Sequence, residues 1–196
     1  LERLQNARLK EQSKQVFITL FDSWSSANVI EKKEVAVQRQ GKRTYMKFGD
    51  IEYLITEKYL LNINHQSRIV FLSKSPEVDP SQNFDLDFSA LLAVASDSKV
   101  KNEGADRVCT LSFSEGQFGH VEIRYNASSY SIGSVVLFLN GPIQAGADDS
   151  PTRMEIHYGP LSHIKADLDI SAYIDHLESK PSLRTPWSEY RLISTL

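Results

Sequence analysis

Residues 29–73 read VIEKKEVAVQRQGKRTYMKFGDIEYLITEKYLLNINHQSRIVFLS, and this stretch decides the fold of the chain. It contains five short segments in which apolar and polar residues alternate, separated by tight turns. Alternation with a period of two predicts β-strands. Parallel neighbours need long crossovers, for which this stretch has no room, so the segments predict an antiparallel meander.

The five predicted strands have clear bounds in the sequence. They cover 31–39, 44–48, 51–55, 59–63 and 69–72. In the second strand the alternation places Met46 and Phe48 on one face, with Tyr45 and Lys47 on the other.

Outside the meander, the sequence predicts two helices and more strands. Apolar residues at spacings of three, four and seven predict a helix over 4–23, and a similar stripe predicts a second helix over 84–96. Further strands are predicted at 108–113, 120–126, 130–139, 153–158 and 189–194, and 170–177 fits either a short strand or a helix. A helix followed by antiparallel strands is typical of an α+β fold with a curved sheet and helices packed in its concave face. We predict a single domain over residues 1–196.

Composition narrows the class of protein. The chain has 196 residues, 41% of them apolar and 24% charged, with a formal net charge of -3. These values are ordinary for a globular protein and give no general attraction to nucleic acid or anionic membranes. Cys109 is the only cysteine, which excludes an internal disulfide, and it is either a small buried hydrophobe or a reactive thiol. The chain begins at Leu1 without a methionine, as a fragment or a mature exported chain would, and we expect the second.

The sequence carries no recognisable catalytic motif. It has no phosphate-binding loop, dinucleotide fingerprint or nucleophile elbow, so we predict that the protein is not an enzyme and needs no cofactor. His157 and His163, with Asp167 and Asp169 nearby, are residue types that bind metals or serve a hydrolase. The alternative is that His157 points outward from a strand and the others occupy a polar loop. We predict no metal.

Basic residues cluster at the first hairpin of the meander. Arg39, Lys42 and Arg43 are candidates for a docking patch that binds an acidic partner. Alternatively, these charges protect an exposed sheet edge against self-association.

Large apolar residues in the strands form the candidate lipid-binding set. If the sheet curls, we expect these side chains to share its concave face. They are Met46, Phe48, Tyr53, Ile55, Leu61, Ile63, Phe71, Phe113, Ile123, Tyr125 and Leu137. One interpretation is that they are core residues packed under the helices. The other is that sheet and helices enclose an apolar cavity for a lipid or acyl chain.

Several segments resemble the periplasmic lipoprotein-carrier family. They are 17–21 (FITLF), 34–37 (EVAV), 45–48 (YMKF), 59–65 (YLLNINH) and 68–71 (RIVF). The resemblance implies an open half-barrel closed by helices, an exported chain and an acyl chain bound in the hollow. It also places Arg43 where a strand arginine holds a lid by hydrogen bonds. The second half of the chain departs from the family pattern, notably in the loop 141–151.

These observations lead to one leading functional hypothesis. We expect a non-enzymatic periplasmic carrier that holds a lipid or lipoprotein acyl chain in an apolar concavity. Its expected partners are a lipid, a lipidated protein or envelope proteins, with no nucleic acid, and we expect a monomer. The alternative is a protein–protein interaction module of the cell envelope that acts through a sheet edge or the basic hairpin.

Overall fold

The computed structural model describes residues 13–75, 88–141, 152–160, 166–185 and 187–196. Its strands are β1 Ser13–Phe21, β2 Val29–Gln40, β3 Arg43–Phe48, β4 Ile51–Ile55, β5 Tyr59–Asn64, β6 Ile69–Lys74, β7 Asp97–Glu103, β8 Asp106–Ser112, β9 Phe118–Asn126, β10 Ile132–Leu139, β11 Thr152–Pro160, β12 Ile174–Asp175, β13 Ser182–Leu183 and β14 Arg191–Ser194. The described helices are α1, Phe88–Val94, and two 3₁₀ helices, Ile170–Ala172 and Trp187–Glu189.

Twelve of the strands form one sheet. Its order is β14-β6-β5-β4-β3-β2-β1-β11-β10-β9-β8-β7, and β12 pairs separately with β13. The meander β2 to β6 is antiparallel throughout, as predicted. Each connection is too short for the crossover that parallel neighbours need. The last strand, β14, joins β6 in parallel, which the long chain between them allows. Strands β14 and β7 are the two ends of the order, so the sheet is not closed, and the predicted α+β class with a large, mostly antiparallel sheet is confirmed.

The prediction of a helix over 4–23 is wrong for residues 13–21, which form β1. Lys14, Val16 and Leu20 are buried, two or four residues apart, as one face of a strand requires. The four-residue step from Val16 to Leu20 fits both a helix and a strand, which is why the spacing misled. Residues 4–12 lie outside the described part of the chain.

Strand β7 was not predicted, because its sequence DSKVKNE has almost no apolar alternation. It pairs along its whole length with β8 across the turn at Gly104 and Ala105, where Gly104 has a φ of 65°. Glycine adopts this left-handed conformation without strain. The second predicted helix is confirmed over α1, and residues 84–87 of the prediction lie outside the described part.

The chain divides into two compact units. Of the described residues, the first comprises 16–34, 88–141 and 152–159, and the second comprises 13–15, 35–75, 160, 166–185 and 187–196. In the first unit, β8 to β10 contribute fully buried residues such as Leu111, Val121 and Val135. In the second, the meander packs against the C-terminal segment. The single domain over 1–196 stays a prediction.

In the described ranges, the helices are all too short or too polar to cross a membrane.

Candidate functional site

The register of the meander assigns its side chains to two faces. Residues that pair directly across neighbouring strands lie on the same face of a sheet. Tyr45 pairs with Leu54, Leu54 with Leu61, and Leu61 with Leu72, so these four share one side. Met46 pairs with Tyr53 and therefore lies on the opposite side.

The first of these sides, which we name the covered face, is closed by the chain itself. Its members are Tyr45, Leu54, Leu61, Ile63, Val70 and Leu72. They form one buried cluster with Leu168, Ile170, Tyr173 and Ile174 of the C-terminal segment. This face is therefore a filled core.

The opposite side, which we name the front face, is mainly apolar and only partly buried. Strand β5 also places the polar residues Asn62 and Asn64 on it. Its apolar members are Met46, Phe48, Ile51, Tyr53, Ile55, Leu60, Ile69 and Phe71. Met46 and Ile55 are buried, whereas Phe48, Tyr53 and Phe71 are half-buried. Ile193 of β14 pairs with Phe71 and is 37% exposed. The front face thus changes from closed near the β2–β3 hairpin to partly solvent-exposed toward β6 and β14.

The prediction that all the meander candidates share one face is wrong for Leu61 and Ile63. Both belong to the covered face and contact the C-terminal segment's cluster. The reason is that neighbouring residues of a strand point to opposite sides of the sheet. Tyr53 lies on the front face, so its neighbour Leu54 and the residue paired with Leu54, Leu61, lie on the covered face.

The remaining candidates lie in the first unit. Ile123 pairs with Val135, Leu137 pairs with Val121, and both are buried with Tyr125. Phe113 is half-buried, with its ring 5.8 Å from that of Phe118. A role in lipid binding stays a prediction for all of these residues.

A polar network, not predicted from the sequence, lies on the covered face beside the core. Glu52 Oε1 is 3.0 Å from Lys47 Nζ and 3.1 Å from His65 Nε2. His65 Nδ1 lies 2.7 Å from the hydroxyl of Tyr190, close to the last strand. Burial, followed by the charge of Glu52 and a hydrogen bond to it, raises the pKa of Tyr45 well above its usual range. The network ties the C-terminal segment to the meander.

The sequence offered one signal for this network. Lys47 and Glu52 pair directly across the β3–β4 hairpin, which a turn at Gly49 and Asp50 predicts. His65 and Tyr190 are distant in sequence, so no local pattern connects them.

The basic residues of the first hairpin separate in the structure. Lys42 and Arg43 line a cavity of about 320 Å³, together with Gln40, Thr56, Glu57, Lys58, Tyr59, Asp169 and Ile170. Arg39 pairs with Thr44 and lies on the side of the front face instead. The proposed docking role of the three residues stays a prediction.

The described residues give little support to the candidate metal or hydrolase site at His157 or to a reactive thiol at Cys109. His157 is exposed and 3.4 Å from Glu155 Oε2, so its predicted outward position is confirmed. His163 lies outside the described part. Within that part, no group of three His, Cys, Asp or Glu residues is placed to hold a metal ion. Cys109 is buried, as one of the two interpretations predicted, and burial raises the pKa of its thiol.

The fold and the front face together define an α+β protein with an open, mostly antiparallel sheet and a partly exposed apolar surface. No protein-family model and no curated protein matches its sequence. Its backbone is similar to that of lipoprotein LppX from Mycobacterium tuberculosis, with a TM-score of 0.46, 9% identity, and coverage of 85% of this chain and 95% of the other.

Two more solved structures show the same kind of likeness. LprF from Mycobacterium bovis has a TM-score of 0.43 and 11% identity, and covers 85% of this chain and 95% of its own. A LolA superfamily protein from Nitrosomonas europaea has a TM-score of 0.30 and 12% identity, and covers 84% of this chain and 92% of its own.

Proposed function

We propose that this protein is an exported, non-enzymatic carrier that holds the acyl chain of a lipid or lipoprotein against the front face. The observation that carries the proposal is the unequal burial of the two sides of the meander. The covered face is sealed by the chain's own C-terminal segment, while Phe48, Tyr53 and Phe71 on the front face keep part of their surface in water.

Partly exposed apolar side chains on adjacent strands are costly unless something covers them. A contiguous apolar patch on a protein surface commonly marks a site of interaction. Half-buried apolar side chains of the front face lie on β3, β4 and β6, and Ile193 continues the patch onto β14. On β5 the residue paired between Tyr53 and Phe71 is Asn62, so one polar side chain interrupts the row. An elongated apolar ligand suits such a row, because each strand adds contacts along its length.

An acyl chain is the ligand of this shape that the sequence resemblance implies. Burying a methylene group contributes about 0.8 kcal/mol. A chain that buries roughly ten methylene groups therefore gains about 8 kcal/mol before the cost of association, and micromolar binding, which needs about 8 kcal/mol net, requires several more buried methylene groups or additional contacts.

The test is titration with an apolar fluorescent probe whose emission rises on leaving water, followed by displacement with a fatty acid. The variant is the double substitution Phe48→Ser and Phe71→Ser, which removes half-buried apolar surface from two strands of the front face. The matched control is Val100→Ser, because Val100 is 58% exposed on β7, in the other unit.

The proposal predicts saturable probe binding that fatty acid displaces. The double variant should weaken this binding by at least about tenfold, since two aromatic contacts are lost, while the control binds normally. A folded protein that neither enhances the probe nor exchanges it for fatty acid contradicts the proposal. Equal loss in the double variant and the control also contradicts it.

A further inference from the structure

The cavity at the first hairpin lies at one end of the covered face. Arg43 and Tyr59 stand on that face, because they are two residues from Tyr45 and Leu61 in their strands. Lys42 lies in the β2–β3 turn, and Lys58 lies in the β4–β5 turn at the same end of the meander. Both side chains line the cavity. The C-terminal segment closes the remaining side with Asp169 and Ile170.

The positive charges of this cavity are incompletely neutralised. Lys42 Nζ is 3.4 Å from Glu57 Oε2, and both side chains are well exposed, so this ion pair is weak. In the part of the chain that the structure describes, no carboxylate lies within ion-pair distance of Arg43 or Lys58. Three cationic and two anionic side chains line the cavity, which leaves an excess of one positive charge.

Asp169, whose carboxylate feels the charge of Arg43, already accepts hydrogen bonds within its own segment. The Asp169 carboxylate accepts a hydrogen bond from the backbone N–H of Ser171 at 3.1 Å and caps the 3₁₀ helix Ile170–Ala172. This hydrogen bond, a second one from the Ser171 side chain and, more weakly, the charge of Arg43 lower the pKa of Asp169. Asp169 therefore stays ionised, and its charge limits but does not cancel the attraction of the cavity for anions.

We propose that this cavity is a binding site for a phosphate-class anion, held by Arg43 and Lys58 with help from Lys42. The guanidinium group presents paired donors that match phosphate oxygens, and the lysine ammonium groups add unoriented positive charge. A cavity of about 320 Å³ has room for a phosphate group and a few attached atoms. This site is separate from the front face, so the proposal is independent of acyl-chain binding.

The ligand's phosphate has two possible sources, a small soluble molecule or a lipid headgroup. One arm of the test measures the binding of inorganic phosphate to the full chain by isothermal titration calorimetry. The other arm measures co-sedimentation with vesicles of phosphatidylglycerol and phosphatidylcholine, compared with vesicles of phosphatidylcholine alone. Both arms use the unmodified protein and the variants Arg43→Gln, Lys58→Gln and Asp169→Asn.

Matched controls remove a positive charge elsewhere in the same unit. Lys180→Gln and Arg191→Gln serve here, because both residues are exposed and neither lines the cavity. Circular dichroism confirms that each variant folds. Lys58 sits in an exposed turn, so its variant keeps the test decisive even where Arg43→Gln alters the β2–β3 hairpin.

The proposal predicts binding in at least one arm that weakens by about tenfold in Arg43→Gln and by several-fold in Lys58→Gln. Asp169→Asn should strengthen binding, because asparagine keeps the helix cap and removes the opposing charge. Binding of inorganic phosphate alone identifies a soluble ligand, and binding of anionic vesicles alone identifies a headgroup. No binding in either arm, or equal weakening by the controls, overturns the proposal.

Discussion

Two consecutive residues of β4 separate the structural role of the meander from its proposed binding role. Leu54 points into the covered face and is 2% exposed, whereas Tyr53 is half-buried on the front face. We compare Leu54→Ala with Tyr53→Ala. Removing a fully packed leucine costs the transfer free energy of the lost atoms and leaves a cavity, in total about 3 kcal/mol. Removing a ring that already contacts water costs about 1 kcal/mol.

These free energies convert into measurable shifts. For a chain of 196 residues, 1 kcal/mol lowers Tm by about 2–4 °C, so Leu54→Ala should lose roughly 6–12 °C and Tyr53→Ala less than about 4 °C. Binding of a fluorescent fatty acid should follow the opposite order. Tyr53→Ala loses an acyl contact and weakens binding about tenfold, while folded Leu54→Ala binds normally.

Differential scanning calorimetry and a fatty-acid titration on the same samples check both orders. The reasoning is refuted if Tyr53→Ala destabilises the protein as much as Leu54→Ala and leaves fatty-acid binding unchanged. That result would mean that Tyr53 is an ordinary core residue and that the front face is closed.

Three further predictions concern stability. Gly119→Ala should lower the free energy of unfolding by about 1–3 kcal/mol in urea denaturation, because an added Cβ would lie 2.6 Å from the Trp24 ring. An unchanged urea midpoint would contradict this close packing of Trp24 on Gly119. The imidazole of His120 stacks on the ring of Phe138, with the ring centres 3.7 Å apart. Burial lowers the pKa of His120, so the folded state favours its neutral form. The stability that neutral His120 contributes is present above its unfolded pKa of about 6.5, and it is lost as the pH falls through the lower folded pKa. The urea midpoint of unfolding should therefore fall more steeply with decreasing pH in the native protein than in His120→Gln. Tyr190→Phe should cost about 1 kcal/mol, because it removes the 2.7 Å contact with His65, and protease resistance of the C-terminal segment should fall with it.

The meander was predictable because its information is local. Period-two alternation in 44–48 and the turn at Gly49 and Asp50 fix both the strands and their direction. The same alternation correctly separated Met46 from Tyr45, since neighbours in one strand always face opposite sides.

The errors arose where local pattern is weak or ambiguous. Val16 and Leu20 fit a helix and a strand equally well, and only pairing within the sheet selects the strand. Strand β7 has too few apolar residues to signal itself and forms because β8 offers a partner. Propensity gives way to tertiary pairing in both cases.

The candidate site was half predictable for the same reason. The residue types of the front face were found, but the assignment of Leu61 to the covered face needed the register across two turns. The cavity at Arg43 depends on Asp169, which is far away in sequence and reaches the hairpin only because the C-terminal segment packs on the covered face.

The most direct test of the proposed function is mass spectrometry of lipid extracted from the purified protein, with native mass spectrometry of the intact complex. The account predicts an acyl-chain lipid in near-stoichiometric amount, and much less of it in the Phe48→Ser, Phe71→Ser double variant. A folded native protein that carries no lipid and takes up none on incubation with fatty acid would contradict the account.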